Sequence, residues 1–460
     1  MISLSKKNLQ NNSILTSKNN FISYNFLEKE SYNIRKKIME NSLVIFFANN
    51  DVESIMLYYA LLKHDVTILL LDDTLNLKEA LRYIENYNPS YILFPKKNDY
   101  VINNFQIIFE NNKFYLSKNR IHLNYILNNN IKFLLTTSGS TRDPKCVKIT
   151  LDSIKKNTES IIEYLEIISK DKTVTTMPLN YSYGLSVINT HFMAGASIVP
   201  TNYSVIEKKF WDLIIKNKIT NLNGVPYFYE ILDRLGLKRL NELKKLKFLT
   251  QAGGSLEQNV FLSLKNYCHK NKKLFYLMYG QTEASPRISY IKVNKDILKP
   301  SVGKALPGGK LYLINNNKNI NKIDTEGELT YEGPNIFSGY AENFNDLKKI
   351  ETIKFLNTGD LGIFDKKGNF YITGRKNRFI KLFGYRINLD HVEDILRSKK
   401  SNVATIFSKD KIYIFSEKKI DNFKKINIPK NKIINHVLSK LPKLKNDKID
   451  YKRLEKKIND

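Results

Sequence analysis

Residues 136–148 read Thr136-Thr137-Ser138-Gly139-Ser140-Thr141-Arg142-Asp143-Pro144-Lys145-Cys146-Val147-Lys148. They follow a short apolar run at residues 131–135, which predicts a buried strand. Small residues let backbone N–H groups approach an anion closely, the hydroxyls add neutral donors, and Lys145 adds a mobile positive charge. The stretch therefore predicts a cradle for a polyphosphate, although its spacing differs from the GxxxxGK[ST] loop. A Ser/Thr-rich turn between two elements is the alternative interpretation.

Alternating strand and helix patterns extend outward from this stretch on both sides. Apolar runs predict strands and amphipathic spacing predicts helices, with Asp152 as the expected N-cap of the helix that follows the loop. The predicted strands are 42–48, 66–71, 90–94, 174–177, 196–200, 219–224, 248–251 and 273–278, and the predicted helices are 52–63, 75–87, 152–169, 205–216 and 258–269. This order is typical of an α/β fold with a mostly parallel sheet, in which ligands lie at the carboxyl ends of strands. The segments 252–255 and 279–283 begin where two predicted strands end.

The pattern changes near residue 303, where short strands alternate with Gly and Asn turns. We expect three parts: a poorly ordered N-terminal segment at 1–30, a large α/β domain at 31–376 that ends in a small β-barrel-like subdomain, and a small, mobile α+β domain at 377–460.

Charge and cysteine content narrow the functional classes. The chain of 460 residues carries 74 Lys+Arg against 45 Asp+Glu, a net charge of +29, but the basic residues are spread along its whole length. No nucleic-acid motif accompanies them, so we do not expect a nucleic-acid partner. No apolar run approaches the ~20 residues that span a bilayer. The two cysteines indicate a reducing compartment, and we expect a cytoplasmic protein.

Five motifs, of which the stretch 136–148 is the first, occur in one order along the chain: TTSGSTRDPKCVK (136–148), YGQTEA (279–284), EGPNIFSGY (332–340), NTGDLGIFDKKGNFYITGRKNRFIKLFGYRIN (357–388) and LPKLKNDKIDYKRL (441–454). With this series the sequence resembles the adenylate-forming superfamily, which includes acyl-CoA synthetases, adenylation domains of peptide synthetases, and luciferases.

The resemblance implies a two-step reaction. A carboxylic acid attacks ATP to give an acyl-adenylate and pyrophosphate, and a thiol of CoA or of a phosphopantetheinyl carrier protein then displaces AMP. The implied cofactors are ATP, Mg²⁺ and the acceptor thiol. Positioning and charge stabilisation dominate such phosphoryl chemistry, so no Ser-His-Asp set is required.

The resemblance also assigns nucleotide contacts. Thr282 is implied to contact the α-phosphate, and Glu283 to ligate Mg²⁺, although a carboxylate at a helix start is also favoured by the dipole. Asp360 is implied to accept hydrogen bonds from the ribose hydroxyls, with Arg375 as a second contact. The remaining nucleotide-binding positions are the phosphate loop with Thr137, Ser138, Gly139, Ser140, Thr141 and Lys145, the strand end with Gly253 and Gly254, and the adenine-stacking segment with Tyr279 and Gly280.

The resemblance implies that the C-terminal region contains a catalytic lysine, a hinge and a loop that moves between the two steps. Lys448 matches the lysine that contacts the substrate carboxylate and the α-phosphate, and Asn377 falls at the hinge. Lys381 and Gly384 lie on the loop that serves the second step. Two positions depart from the family pattern, since Arg142 and Asp447 stand where glycine is usual.

The acid-binding segment is implied to include Tyr181 and Gly184. Residues 180–186 contain no acidic side chain that could pair with an α-ammonium group. We therefore expect an uncharged acyl or aryl acid rather than an amino acid. A catalytically silent adenylate-binding or carrier-docking homologue is the alternative that Arg142 and Asp447 leave open.

Overall fold

The computed structural model describes residues 8–15, 20–98, 100–121, 127–136, 145–316, 318–382, 385–397, 402–409, 411–420, 426, 428, 430–444 and 448–459. The chain divides into two compact units, one formed by residues 1–311 and 331–356 and the other by residues 312–330 and 357–460.

The first part of the chain forms β1 (Asn12–Leu15), β2 (Phe21–Ser23), α1 (Tyr24–Arg35), β3 (Leu43–Ala48), α2 (Val52–Leu62), β4 (Thr67–Asp72), α3 (Leu77–Tyr87), β5 (Tyr91–Pro95), β6 (Phe105–Glu110), β7 (Phe114–Asn119) and β8 (Ile131–Thr136). The middle part forms β9 (Cys146–Thr150), α4 (Leu151–Leu165), β10 (Lys172–Val174), α5 (Ser182–Met193), β11 (Ser197–Val199), α6 (Lys208–Lys216), β12 (Asn221–Gly224), α7 (Pro226–Leu235), β13 (Phe248–Gln251), α8 (Gln258–Lys270), β14 (Leu274–Gly280) and β15 (Arg287–Lys292). The last part forms β16 (Lys304–Ala305), β17 (Lys310–Asn315), β18 (Lys318–Ile320), β19 (Gly327–Glu332), β20 (Tyr340–Ala341), β21 (Leu356–Phe364), β22 (Phe370–Arg375), β23 (Phe379–Leu382), β24 (Tyr385–Asn388), α9 (Leu389–Leu396), β25 (Val403–Ser408), β26 (Lys411–Ser416), β27 (Ile433–Val437) and α10 (Tyr451–Asn459).

Two sheets build the first unit. An eight-stranded sheet has the order β20-β9-β8-β4-β3-β5-β7-β6, and a nine-stranded sheet has the order β16-β15-β14-β13-β12-β10-β11-β1-β2. The central strand β3 is buried along its whole length and pairs in parallel with β4 and β5. Such a strand needs apolar side chains on both faces, which its sequence LVIFFA supplies. The parallel run β12-β13-β14 forms the centre of the second sheet.

Polar caps fix where the helices begin. Asn76 and Glu79 form a reciprocal capping box at the start of α3. Helix α4 is capped by Thr150, whose hydroxyl accepts from the backbone N–H of Ser153, so the expectation that Asp152 is the cap is wrong. Asp152 instead lies in the first turn, where its negative charge interacts favourably with the helix dipole.

The segment before residue 30, which we expected to be poorly ordered, forms β1, β2 and the start of α1 where the structure describes it. The buried Ile14 pairs in parallel with Ile198 of β11. The hydroxyl of the fully buried Tyr24 donates to the carbonyl of Ala196 at 2.6 Å. Because these partners lie far along the chain, the polar composition of the segment gave no indication of its order.

The second unit carries a five-stranded sheet with the order β18-β17-β19-β21-β22, a two-stranded sheet formed by β23 and β24, and a three-stranded sheet formed by β25, β26 and β27. Helix α9 packs its apolar side chains against this last sheet. The predicted division of the chain between residues 376 and 377 remains a prediction.

The predicted α/β class is confirmed by this arrangement of parallel strands and covering helices. Within the described part of the chain, every helix is too short or too polar to cross a membrane.

Candidate active site

The phosphate-loop candidate joins two paired strands. Thr136, the last residue of β8, is paired with Cys146, the first residue of the antiparallel strand β9. The expected phosphate contacts of Thr137, Ser138, Gly139, Ser140 and Thr141 fall outside the described residues, as does Arg142. They remain predictions.

Lys145 follows this loop and lies over an aromatic ring. Its Nζ is 4.0 Å from the centroid of the Tyr340 ring and 3.9 Å from Oε1 of the exposed Glu342. The hydroxyl of Tyr340 donates to Oε1 of Glu283 at 3.0 Å. Burial and the Glu283 carboxylate raise the pKa of Tyr340, so its hydroxyl stays protonated and acts as the donor. Tyr340 thus links two residues that the sequence predicted separately for the nucleotide.

Glu283 lies in a single 3₁₀ turn, Thr282–Ala284, directly after β14. The backbone carbonyl of Glu283 accepts from the N–H of Phe337 at 2.8 Å, which fixes the turn. Oγ1 of Thr282 lies 3.4 Å from Oγ of Ser182, the first residue of α5. Thr282, which is expected to contact phosphate, is therefore held beside the start of α5, and Glu283 follows it in the same turn.

The Glu283 side chain suits Mg²⁺. This ion takes hard oxygen ligands and is bound by one or two carboxylates together with waters and substrate phosphates. Glu283 is half-buried at a strand end, with one oxygen already oriented by Tyr340. Among the described residues, no set of three or more His, Cys, Asp or Glu side chains is grouped to hold a metal ion.

Glycines at two strand ends allow close approaches. A Cβ on Gly280 would lie 2.0 Å from the carbonyl oxygen of Pro286, so this position tolerates only glycine. Gly253 has φ +89°, and a Cβ there would lie 2.6 Å from the hydroxyl of Tyr181. The structure thereby brings together Gly253 and the aromatic residue predicted to contact the acid. Gly254, the next residue, is exposed beside Pro226.

The structure shows the neighbours of the predicted adenine-stacking residue and of the predicted acid-binding glycine. Tyr279 of β14 is half-buried and is paired with Ser289 of β15. Gly184 lies inside α5, where a Cβ would meet the carbonyl oxygen of Pro178 at 2.3 Å. Packing alone therefore accounts for a glycine at this position. A contact between Gly184 and a substrate stays a prediction.

The second unit brings together three residues that the sequence assigned to the nucleotide and to catalysis. Asp360 and Arg375 are paired across β21 and β22, with Nε of Arg375 3.2 Å from Oδ1 of the buried Asp360. Burial and Arg375 lower the pKa of Lys448, while Asp360 opposes that shift. Some eighty residues separate Asp360 from Lys448, so their proximity is a property of the fold and not of the local sequence.

The hinge candidate Asn377 lies, exposed, in the 3₁₀ turn Lys376–Arg378. Lys381 is placed in β23. Gly384 and Asp447 lie outside the described residues.

A sequence profile of the AMP-binding enzyme family matches residues 33–341, which is more than half of the chain. The chain belongs to this family. The resemblance drawn from the five motifs is therefore confirmed.

Individual relatives of this AMP-binding enzyme differ in what they act on. The oxalate–CoA ligase of Saccharomyces cerevisiae is 26% identical over 276 residues, which cover 58% of this chain and 49% of the ligase. The chain thus spans about half the length of this curated relative. The D-alanine–D-alanyl carrier protein ligase of Staphylococcus aureus is 26% identical over 370 residues, 73% of each chain. The ATP-bound structure of MatB from Rhodopseudomonas palustris superimposes with a TM-score of 0.78 at 19% identity, covering 100% of this chain and 97% of MatB, and supports the fold.

Two residues of this AMP-binding enzyme were missed by the sequence analysis. Tyr340 is the last residue of the EGPNIFSGY motif, so its position was marked in the sequence. Its contacts with Lys145 and Glu283 could not be predicted from the motif alone. Arg287, at the start of β15, is only 2% exposed. A lone arginine after Ser285-Pro286 is typical of a surface turn, and nothing local in the sequence marks it as buried.

Proposed function

We propose that the protein activates a carboxylic acid with ATP and transfers the acyl group to a thiol. In the first step a carboxylate oxygen attacks the α-phosphorus, the bond to the bridging oxygen of the β-phosphate breaks, and pyrophosphate leaves. In the second step a thiol sulfur attacks the acyl carbon, the bond to the phosphate oxygen of AMP breaks, and the thiol proton is lost. The products are a thioester and AMP.

The grouping of Lys448 with Asp360 and Arg375 carries this proposal. A buried carboxylate acceptor suits the two ribose hydroxyls, because one carboxylate can accept both hydrogen bonds. A lysine held near the same acceptor would reach the α-phosphate and the acid carboxylate. There it would donate to charge that develops in the transition state, which lowers the barrier more than it tightens binding of the ground state.

The first unit supplies the groups for the triphosphate. Lys145, after the hydroxyl-rich loop, provides a cation whose position is set by the Tyr340 ring. Glu283, oriented by the Tyr340 hydroxyl, would hold Mg²⁺. When bound, that ion neutralises phosphate charge.

The acid is an acyl or aryl carboxylic acid rather than an amino acid, because residues 180–186 offer no carboxylate for an ammonium group. The acceptor is CoA or the phosphopantetheine arm of an acyl or peptidyl carrier protein, in keeping with the names of the two relatives, one a CoA ligase and one a carrier protein ligase. Two buried free cysteines, Cys146 and Cys268, support a reducing compartment, and we place the protein in the cytoplasm.

ATP–pyrophosphate exchange with a panel of carboxylic acids tests the proposal. Exchange that depends on one class of acid and is lost in Glu283→Gln supports adenylate formation. Thioester product is then measured with CoA and with a phosphopantetheinylated carrier protein. A protein that binds AMP but exchanges no pyrophosphate with any acid would be the catalytically silent homologue, and the proposal would be rejected.

A further inference from the structure

Arg287 is a buried cation without an anionic partner among the described residues. Its guanidinium carbon lies 4.6 Å from the centroid of the Tyr183 ring, and Nη2 lies 3.4 Å from Oγ of Ser186. Nε has no hydrogen-bond partner in the described part of the chain. No carboxylate there forms an ion pair with Arg287.

Arg287 lies behind the segment that we assign to the acid. Its backbone is paired with Gly280 of β14, the residue that begins the turn to Thr282. Its guanidinium packs on Tyr183, whose ring lies 6.5 Å from that of Tyr181 in an edge-to-face arrangement. The Tyr181 hydroxyl in turn rests against Gly253. A continuous set of contacts therefore runs from the glycine-lined strand end, through two tyrosines, to the guanidinium.

A guanidinium in this position is costly to bury. Removal of a charged group from water is strongly unfavourable unless a partner of opposite charge and hydrogen bonds compensate it. The Tyr183 ring, the Ser186 hydroxyl at 3.4 Å and the Tyr164 hydroxyl are neutral partners and offer partial compensation only. Packing does not explain the residue either, because Leu or Met would fill such a site without the charge.

We propose that Arg287 pairs with a second negatively charged group of the acid, so that the substrate is a dicarboxylic acid. One carboxylate is activated near Thr282 and Glu283, and the other accepts hydrogen bonds from the guanidinium. The inference rests on the proposed function for the identity of the site, and it revises the expectation that the acyl group is uncharged. A guanidinium presents its donors in a planar fork that matches a carboxylate, which favours this partner over a neutral acyl chain.

ATP is a less suitable partner for Arg287. The side chain contacts α5 through Tyr183 and Ser186. Lys145, by contrast, follows the phosphate loop directly and lies over Tyr340. The two cations thus have different neighbours, and a change at Arg287 should alter the choice of acid and leave the affinity for ATP unchanged.

The experiment compares acids of equal chain length: oxalate with acetate, malonate with propionate, and succinate with butyrate. Pyrophosphate exchange is measured for the wild type, for Arg287→Met and Arg287→Lys, and for Arg239→Met as a control. Arg239 also lies over an aromatic ring, 5.5 Å from the centroid of Trp211, but is exposed. Binding of each acid is measured separately by calorimetry, with a non-hydrolysable ATP analogue present.

We expect the wild type to prefer one dicarboxylate over its matched monocarboxylate by about 100-fold in kcat/KM, the factor typical of a buried charge pair. Arg287→Met should lose this preference and keep its activity with the monocarboxylate and its KM for ATP. Arg287→Lys should retain part of the preference. Arg239→Met should behave as the wild type. Melting temperatures establish that each variant is folded, and the binding of the ATP analogue serves as a second check.

Each result decides the matter. A wild type that prefers monocarboxylates, or an Arg287→Met variant with unchanged selectivity, overturns the inference. Dicarboxylate binding that requires Arg287 without any pyrophosphate exchange supports the inference and rejects the proposed function. If the wild type neither binds nor activates a dicarboxylate, the inference fails.

Discussion

Lys376 and Arg378 stand on either side of Asn377 and are anchored to different elements. Nζ of Lys376 is 2.8 Å from Oε2 of Glu328 in β19 of the five-stranded sheet. Nε of Arg378 is 2.7 Å from Oδ1 of Asp390 in α9. Arg378 also donates to the Thr405 carbonyl, and its guanidinium carbon lies 4.5 Å from the centroid of the Tyr451 ring. Asn377 therefore links two anchored neighbours, and its role as a pivot remains a prediction.

Replacement of Asn377 by proline tests this pivot. Proline fixes φ near −65° and removes a backbone donor. If residues after 377 rotate between the two half-reactions, Asn377→Pro should trap one orientation, and one half-reaction should survive while the other collapses. Asn377→Gly should support both steps. Pyrophosphate release and thioester formation are followed separately, and an equal loss in both, or no loss, would show that the pivot lies elsewhere.

Local sequence patterns predicted the centre of the fold well. Strand β3 is apolar on both faces, and its predicted bounds of 42–48 agree closely with Leu43–Ala48. The end of β13 at Gln251, just before Gly253, was predicted for the same reason, because a buried apolar run ends in small or polar residues, whereas β14 extends past its predicted end at residue 278 to include Tyr279 and Gly280. These features depend on a few adjacent residues, which is the range over which periodicity is informative.

Long-range contacts were not predictable from such patterns. The pairing of Ile14 with Ile198 and the burial of Arg287 both depend on partners that the chain brings together only after folding.

The cap of α4 illustrates a different limit. Thr150 and Asp152 are both good capping residues, and the end of β9 decides between them by placing Thr150 at the extended position before the first turn.

Lys448→Ala should lower the rate of adenylate formation by a factor of about 10²–10³ while ATP affinity changes little, because the lysine is proposed to donate to charge that develops in the transition state. Lys440→Ala is the matched control, since Lys440 is exposed and has no assigned role. Single-turnover measurement of the acyl-adenylate separates chemistry from binding. A Lys448→Ala enzyme as fast as the control would remove this residue from the mechanism.

Asp360→Ala should weaken the binding of ATP and the binding of AMP alike, because both nucleotides carry the ribose that Asp360 is proposed to bind. The loss of a charged acceptor should cost roughly 1.5–3 kcal/mol for each nucleotide, measured by calorimetry. Thr358→Val provides a comparison, since the Thr358 hydroxyl accepts from the backbone N–H of Asp360 at 3.2 Å without a proposed ribose contact. Unchanged AMP affinity in Asp360→Ala would contradict the assignment.

A buried histidine outside the proposed site, His191, should make the stability of the protein depend on pH. His191 in α5 is 1% exposed, with Nδ1 2.7 Å from the carbonyl oxygen of Val187 and Nε2 3.1 Å from Nδ2 of Asn221 in β12. These contacts suit a neutral ring that donates through Nδ1 and accepts through Nε2. Burial lowers the pKa of His191 to about 4, from 6.5.

Between about pH 4 and pH 6.5 the unfolded chain therefore binds a proton at His191 that the folded protein does not bind. Since stability rises with pH wherever the unfolded state binds more protons, the free energy of unfolding should fall as the pH is lowered through this window. The loss attributable to His191 should approach about 3 kcal/mol, at ~1.4 kcal/mol for each unit of pKa shift. Urea denaturation at about pH 7.0 and about pH 4.5, which span most of this window, should show a smaller pH dependence for His191→Gln than for the wild type. His269→Gln, which changes an exposed histidine, should keep the dependence of the wild type. If His191→Gln loses as much stability on acidification as His269→Gln does, other groups cause the effect.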